Sequence, residues 1–207
     1  MLTAESFKKA LAFVQHVINP EHELPGFRGV VFDFEGNSMY LVATDGTRMA
    51  AVLCSVPPSD LKGPYIIAPD QLKHLEFDHV SWPGLMPEEV KFTHAHGSRA
   101  ITVSYGSGAH ATLRIMDADT KWPYWREVIN KRNPATPHEK GYPGAHVAAA
   151  CISIAQQFGQ SVGLTGVEHG PMIVRALELP KPEVTPGIET AVVALSPRLM
   201  LRDLEPA

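Results

Sequence analysis

Hydrophobic spacing at the start of the chain predicts a helix. Phe7, Ala10, Leu11, Val14, Val17 and Ile18 recur at helical intervals between Thr3 and Ile18, Lys8, Lys9, Gln15 and His16 take other positions on the wheel, and Asn19-Pro20 ends the run. Three short stretches rich in β-branched and aromatic residues follow, at 29–34, 39–43 and 48–54, separated by Glu35-Gly36-Asn37 and Asp45-Gly46. Turn residues between apolar runs predict antiparallel strands joined by hairpins. A Pro-, Ser- and Gly-containing turn at 57–64 leads to an apolar strand at 65–68, where Pro69 opens a short helix that runs to Leu75. Strands are predicted again at 89–92, 99–105 and 109–116. One helix followed by three strands has then appeared twice.

Between 117 and 144 the chain turns to Pro, Lys, Asn and aromatic residues with no sustained period, which predicts a crossing segment and linker. Beyond it, 146–158 reads as an apolar helix closed by Gly159, and 161–167, 172–179 and 190–195 as three more strands. The unit thus recurs a third time, at a period of roughly 65 to 80 residues, the mark of an architecture of related half-domains. The expected fold class is α+β, with antiparallel sheets and helices on one face.

Composition narrows the functional classes. The 207 residues suffice for one large or two small domains, and 44% hydrophobic with 19% charged residues is ordinary for a globular chain. A net charge of −4 argues against a protein that grips nucleic acid over its whole surface, so any such role rests on local charge or on topology. No run approaches the roughly 18 apolar residues of a membrane helix, and the N-terminus has no signal-peptide cleavage site. A cytoplasmic protein without a membrane partner is expected. Cys54 and Cys151 fit no C-x-x-C spacing and are expected as buried thiols.

Specific residues carry a family resemblance. Leu41-Val42-Ala43-Thr44-Asp45-Gly46-Thr47-Arg48-Met49-Ala50 resembles a strand-turn-strand in the middle domain of the bacterial DNA polymerase III beta subunit, the sliding clamp. Ile66-Ile67-Ala68-Pro69 resembles that domain's second strand-helix entry, and Lys121-Trp122-Pro123-Tyr124-Trp125-Arg126-Glu127-Val128-Ile129 is similar to its Phe-Pro-x-Tyr-x-x-Val-Leu segment before the last domain. Val192 to Leu199 resembles the family's C-terminal strand and tail, with the methionine and proline positions changed. The matches follow the family's order. By this resemblance, residues 1–130 are a clamp domain like the middle one, 131–144 a linker, and 145–207 a half-domain like the second half of the last. A standard subunit is longer.

The resemblance implies a DNA-clamp fold and a non-enzymatic replication processivity or recruitment factor that needs no cofactor. Its partners would be polymerases and repair proteins carrying short clamp-binding peptides, non-specific double-stranded DNA, and further copies of itself. The implied peptide groove has Leu24, Phe27, Thr44, Gly46, Arg48, Met49, Pro123, Val128, Val193, Leu195, Ser196, Pro197 and Arg198 as its wall. A concave apolar cleft at a domain junction is a natural seat for peptide anchors, though the same residues could merely join the two parts. The DNA-facing residues implied are Lys8, Lys9 and Lys73, while 146–158 has no Lys or Arg. A related reading is a clamp-fold adaptor or decoy that binds replication proteins without encircling DNA.

Other chemistries have thinner support. His94-Ala95-His96 would put two imidazoles on one strand face, the start of a metal site and of a small metal-dependent enzyme, but no third ligand stands at a helpful spacing. Gly106-Ser107-Gly108 lacks the strand-to-helix setting of a nucleophile elbow. Trp122-Pro123-Tyr124-Trp125 could stack bases, yet burial of these rings across the junction is the simpler expectation.

Overall fold

The computed structural model describes residues 1–73, 75, 89–94, 99–105, 109–116, 122, 125–130, 144–158, 161–165, 172–177 and 186–195. The first helix, α1 (Ala4–Gln15), starts at Thr3, whose Oγ1 accepts a hydrogen bond from Ser6 N at 3.3 Å and supplies the N-terminal cap. Strands β1 (Val30–Glu35), β2 (Ser38–Thr44) and β3 (Arg48–Ser55) follow as hairpins, with Gly36 and Gly46 at positive φ in the turns. Then come β4 (Gly63–Ile67), the single turn α2 (Pro69–Leu72), β5 (Val90–His94), β6 (Ala100–Tyr105) and β7 (Ala109–Arg114). The last stretch holds α3 (Trp125–Asn130), α4 (Gly144–Phe158), β8 (Val162–Thr165), β9 (Met172–Ala176) and β10 (Ile188–Leu195).

The strands form two antiparallel sheets. One has the order β4-β1-β2-β3-β10-β9-β8 and the other β5-β6-β7. β10 pairs along β3 from Ile188↔Cys54 to Leu195↔Arg48, so β8–β10 continue the sheet of β1–β3. Side chains alternate between the two faces of a strand, so β4, β1, β2, β3, β10 and β9 of the seven-stranded sheet feed two separate apolar layers.

The inner layer lies between sheets and helices. Phe7 of α1 meets Phe32 of β1 and Phe92 of β5 edge-on, with ring centroids 6.0 and 5.3 Å apart, so one ring ties the first helix to both sheets. Phe13 meets Phe158 at 4.9 Å and joins α1 to α4. Burying each such ring stabilises by about 1.5–3 kcal/mol. On the opposite face of the seven-stranded sheet a second layer gathers Val31, Val42, Met49, Ala51, Ile66, Ile173, Val192 and Ala194 around Trp125.

That layer contains an element that no periodicity announces: within the crossing segment, Trp125–Asn130 is helical and Trp125 is buried on the sheet. Six residues are too few to show a 3.6-residue period, and tertiary burial of the indole, rather than propensity, holds the turn in place. The rest of the expected linker, 131–143, lies outside the described residues.

Candidate functional site

The site begins with the β2–β3 turn. Thr44 is fully buried, and its Oγ1 donates to the Arg48 carbonyl at 2.6 Å while accepting from Gly46 N at 3.1 Å. Asp45 Oδ1 accepts from Thr47 N, Thr47 Oγ1 and Arg48 N at 2.7 to 2.8 Å, and Oδ2 receives Arg48 Nε at 2.8 Å and Nη2 at 2.7 Å. Burial disfavours the charged carboxylate of Asp45, but the hydrogen bonds from Arg48 and Thr47 outweigh it and hold the group below its ordinary value. Gly46 has φ +85°, a left-handed conformation that an L side chain resists. The Thr-Asp-Gly-Thr-Arg run is thus a turn closed by its own side chains.

Phe27 lies against this turn. The 3-10 turn Pro25–Arg28 buries it, its ring stacks on His22 at 4.6 Å and 14°, and Trp122 stands 6.1 Å away. A methyl group on Gly46 would come within 3.6 Å of both the His22 Nε2 and the Phe27 ring. Leu24 remains 39% exposed beside them, and its N–H donates to His22 Nδ1 at 3.1 Å. His22 was not among the expected residues. An aromatic-compatible ring a few positions before Phe27 was the available signal.

The expected wall divides between two faces. Met49 and Val128 belong to the outer layer with Trp125, whereas Val193 and Leu195 point to the helix side and pack in the inner core. The strand's period of two is the reason: Val192 and Ala194, not Val193 and Leu195, share the face of Met49. Phe27, Thr44, Gly46 and Arg48 come together at the turn, and the exposed Leu24 precedes Phe27, its carbonyl accepting from Phe27 N at 3.1 Å. Pro123, Ser196, Pro197 and Arg198 lie outside the described residues. Trp122 and Trp125 both pack on the outer layer, so two of the clustered aromatic rings serve as cover for the sheet.

Of the expected DNA-facing lysines, Lys8 and Lys73 are exposed and Lys9 is half-buried, with its Nζ 2.9 Å from Glu5 one helical turn away. His94 closes β5 with its ring 6.2 Å from that of Tyr65, and His96 lies outside the described residues. Among the described residues no three His, Cys, Asp or Glu side chains gather in a metal-binding group. Cys54 is buried, and burial pushes its thiol up, away from reactivity, whereas Cys151 is half-buried. No described helix is long and apolar enough to cross a membrane.

No protein-family model and no curated protein matches the sequence. Solved structures do. The DNA polymerase sliding clamp from Caulobacter crescentus is similar at a TM-score of 0.60 and 13% identity, over 99% of this chain and 68% of that one. The sliding clamp from Pseudomonas aeruginosa is similar at 0.56 and 12%, over 100% and 67%. The beta subunit of DNA polymerase III from Thermotoga maritima is similar at 0.50 and 15%, over 94% of this chain and 49% of that one. The chain has a clamp-like fold of antiparallel sheets with a few helices, but the helices do not share one face as expected: α1 and α4 pack on the inner layer and the short α3 on the outer one, where its indole is buried.

Proposed function

We propose that this protein is a sliding-clamp-like factor of DNA replication, non-enzymatic and cytoplasmic, that recruits polymerases or repair proteins through short clamp-motif peptides. The observation that carries the reading is the junction of the closed Thr44–Arg48 turn with Phe27, His22 and the exposed Leu24, on a fold similar to solved sliding clamps. A rigid turn beside an exposed aliphatic side chain supplies a preorganised seat for a peptide's apolar anchor. Double-stranded DNA would meet Lys8, Lys9 and Lys73 without sequence preference.

A second reading, an adaptor that binds these partners without encircling DNA, is favoured by α4, whose sequence has neither Lys nor Arg to face phosphates. Calorimetry with a Gln-Leu-x-Leu-Phe peptide tests the common part. Binding is expected at roughly micromolar strength, and Leu24→Asp should weaken it at least tenfold with an unchanged thermal melt. Absence of heat at a hundredfold excess over that range, or equal affinity of the variant, overturns the peptide site. Retention on closed circular but not linear DNA then separates the clamp from the adaptor.

A further inference from the structure

The loop between α1 and β1 is held by its own hydrogen bonds. His22 N donates to Asn19 O and Glu21 N to Asn19 Oδ1, both at 3.1 Å, and Phe27 N donates to Leu24 O at 3.1 Å. Arg28 ties the far end back, with Nη2 donating to Glu23 O at 3.4 Å and Nε to His22 O. These acceptors are carbonyl and amide oxygens, which accept at any pH near neutrality. The bond from Leu24 N to His22 Nδ1, at 3.1 Å, is of another kind. A ring nitrogen accepts only while it carries no proton, so this bond requires a neutral imidazole with its proton on Nε2.

A second proton would act unequally on the two partners. On Nδ1 it would aim a donor at the Leu24 N–H, and the bond would be lost. The ring itself is held where it is: it lies nearly parallel to Phe27 at 4.6 Å, and a cationic ring is attracted to an aromatic face. Leu24, 39% exposed, is therefore the partner that yields. Pro25 confines it to extended backbone, φ −81° and ψ 119°, so its displacement carries into the 3-10 turn that buries Phe27.

Among the described residues, the charged and titratable groups of the surrounding elements are Glu21, Glu23 and Arg28 in the same loop, Asp45 and Arg48 in the β2–β3 turn, and His16 at the end of α1. Asp45 and Arg48 pair with each other, and Gly46 presents only backbone toward Nε2. Desolvation holds His16 below its ordinary value, so it takes up its proton at a lower pH than an ordinary histidine.

We propose that His22 is the positioning residue of the peptide seat: its neutral ring holds Leu24 at the entry to the 3-10 turn, and its protonation releases Leu24 and weakens the hold on an apolar peptide anchor. The choice of ligand rests on the recruitment reading, whereas the release of Leu24 is a property of the chain alone.

Heteronuclear NMR of the natural chain between about pH 8 and pH 5, the range in which imidazoles change charge, tests the release. The Leu24 amide proton should move to the higher field of an unbonded N–H with the same midpoint as the His22 ring. In His22→Asn, whose Oδ1 can accept from the N–H two residues on at any pH, it should not move. Calorimetry over the same range with an acetylated, amidated Gln-Leu-Ser-Leu-Phe peptide, which has no group that titrates there, tests the consequence. Affinity should fall about three- to tenfold toward the acid end, the worth of one hydrogen bond, in the natural chain and in His16→Gln. In His22→Asn it should not vary with pH. A Leu24 amide that ignores the titration of the His22 ring, a ring that does not titrate in the range, an affinity of the natural chain that is flat in pH, or one that falls equally in His22→Asn overturns the proposal. Absence of peptide binding at every pH overturns the recruitment reading instead, and the Leu24 amide then decides by itself whether His22 positions the loop.

Discussion

Trp125 donates its indole N–H to Oδ2 of Asp33 over 3.1 Å, joining residues 92 positions apart. The same oxygen accepts from Arg126 Nε at 3.1 Å and Nη2 at 3.0 Å, and Arg126 Nη1 pairs with Glu35. The guanidinium also stands 5.2 Å from the Tyr40 ring centroid and 5.1 Å from that of Trp125. Asp33 is nearly fully buried, which would cost several kcal/mol for a lone carboxylate. Its three N–H donors all come from α3, so the charge on β1 fixes where that helix lies.

Asp33→Ala is therefore expected to destabilise by about 1–3 kcal/mol, because it leaves the Trp125 N–H without its acceptor and the Arg126 guanidinium with Glu35 alone. Arg126→Ala takes two of the three donors from the buried Asp33 carboxylate and should cost at least as much, about 1–3 kcal/mol. Urea denaturation monitored by tryptophan fluorescence measures both. If neither substitution lowers stability, Asp33 does not anchor the helix.

The Asp33 contact also shows what the sequence discloses. In Val30-Val31-Phe32-Asp33-Phe34 a single carboxylate interrupts an apolar run, and a charge in such a run signals a buried, paired group. The partner was illegible, since nothing local points across 92 positions. The strands and long helices were legible because their spacing is local. So was the Thr44–Arg48 turn, whose residues bond to one another. The split of the expected wall came from taking Val193 and Leu195 with Met49 as one surface, although the β3–β10 register sets Met49 opposite Ala194. Register is a property of the pair of strands, and a single strand's sequence does not state it.

Asp45 gives a prediction in pH. Its folded-state carboxyl lies below the ordinary value, so the unfolded chain takes up the proton first as pH falls. The stability it contributes is present above the ordinary carboxylate value and is lost as pH drops through the lower, folded one. Asp45→Asn keeps the size but removes the charge for Arg48, and should flatten the melting temperature's dependence on pH below about pH 4. Parallel acid profiles for the variant and the natural chain would refute this assignment.

Gly187, just before β10, shows where the fold tolerates no side chain. Its φ is +79°, and a Cβ there would lie 2.4 Å from Leu2 Cα and 2.5 Å from Leu2 N, backbone atoms that cannot swing aside. Leu2 is itself fully buried, and its carbonyl accepts from Val90 N at 2.9 Å at the edge of β5. Gly187→Ala should thus displace the N-terminal residues and loosen β5. Gly36 is the control, since it has φ +62° but nothing within 4 Å of a built Cβ. Gly36→Ala carries only the conformational penalty, about 1–2 kcal/mol. Gly187→Ala carries that penalty and the clash, so its loss in urea denaturation should be clearly larger, with faster amide exchange at Val90. Equal losses for the two alanines, with Val90 exchange unchanged, would mean that the N-terminal residues do not depend on the bare backbone of Gly187.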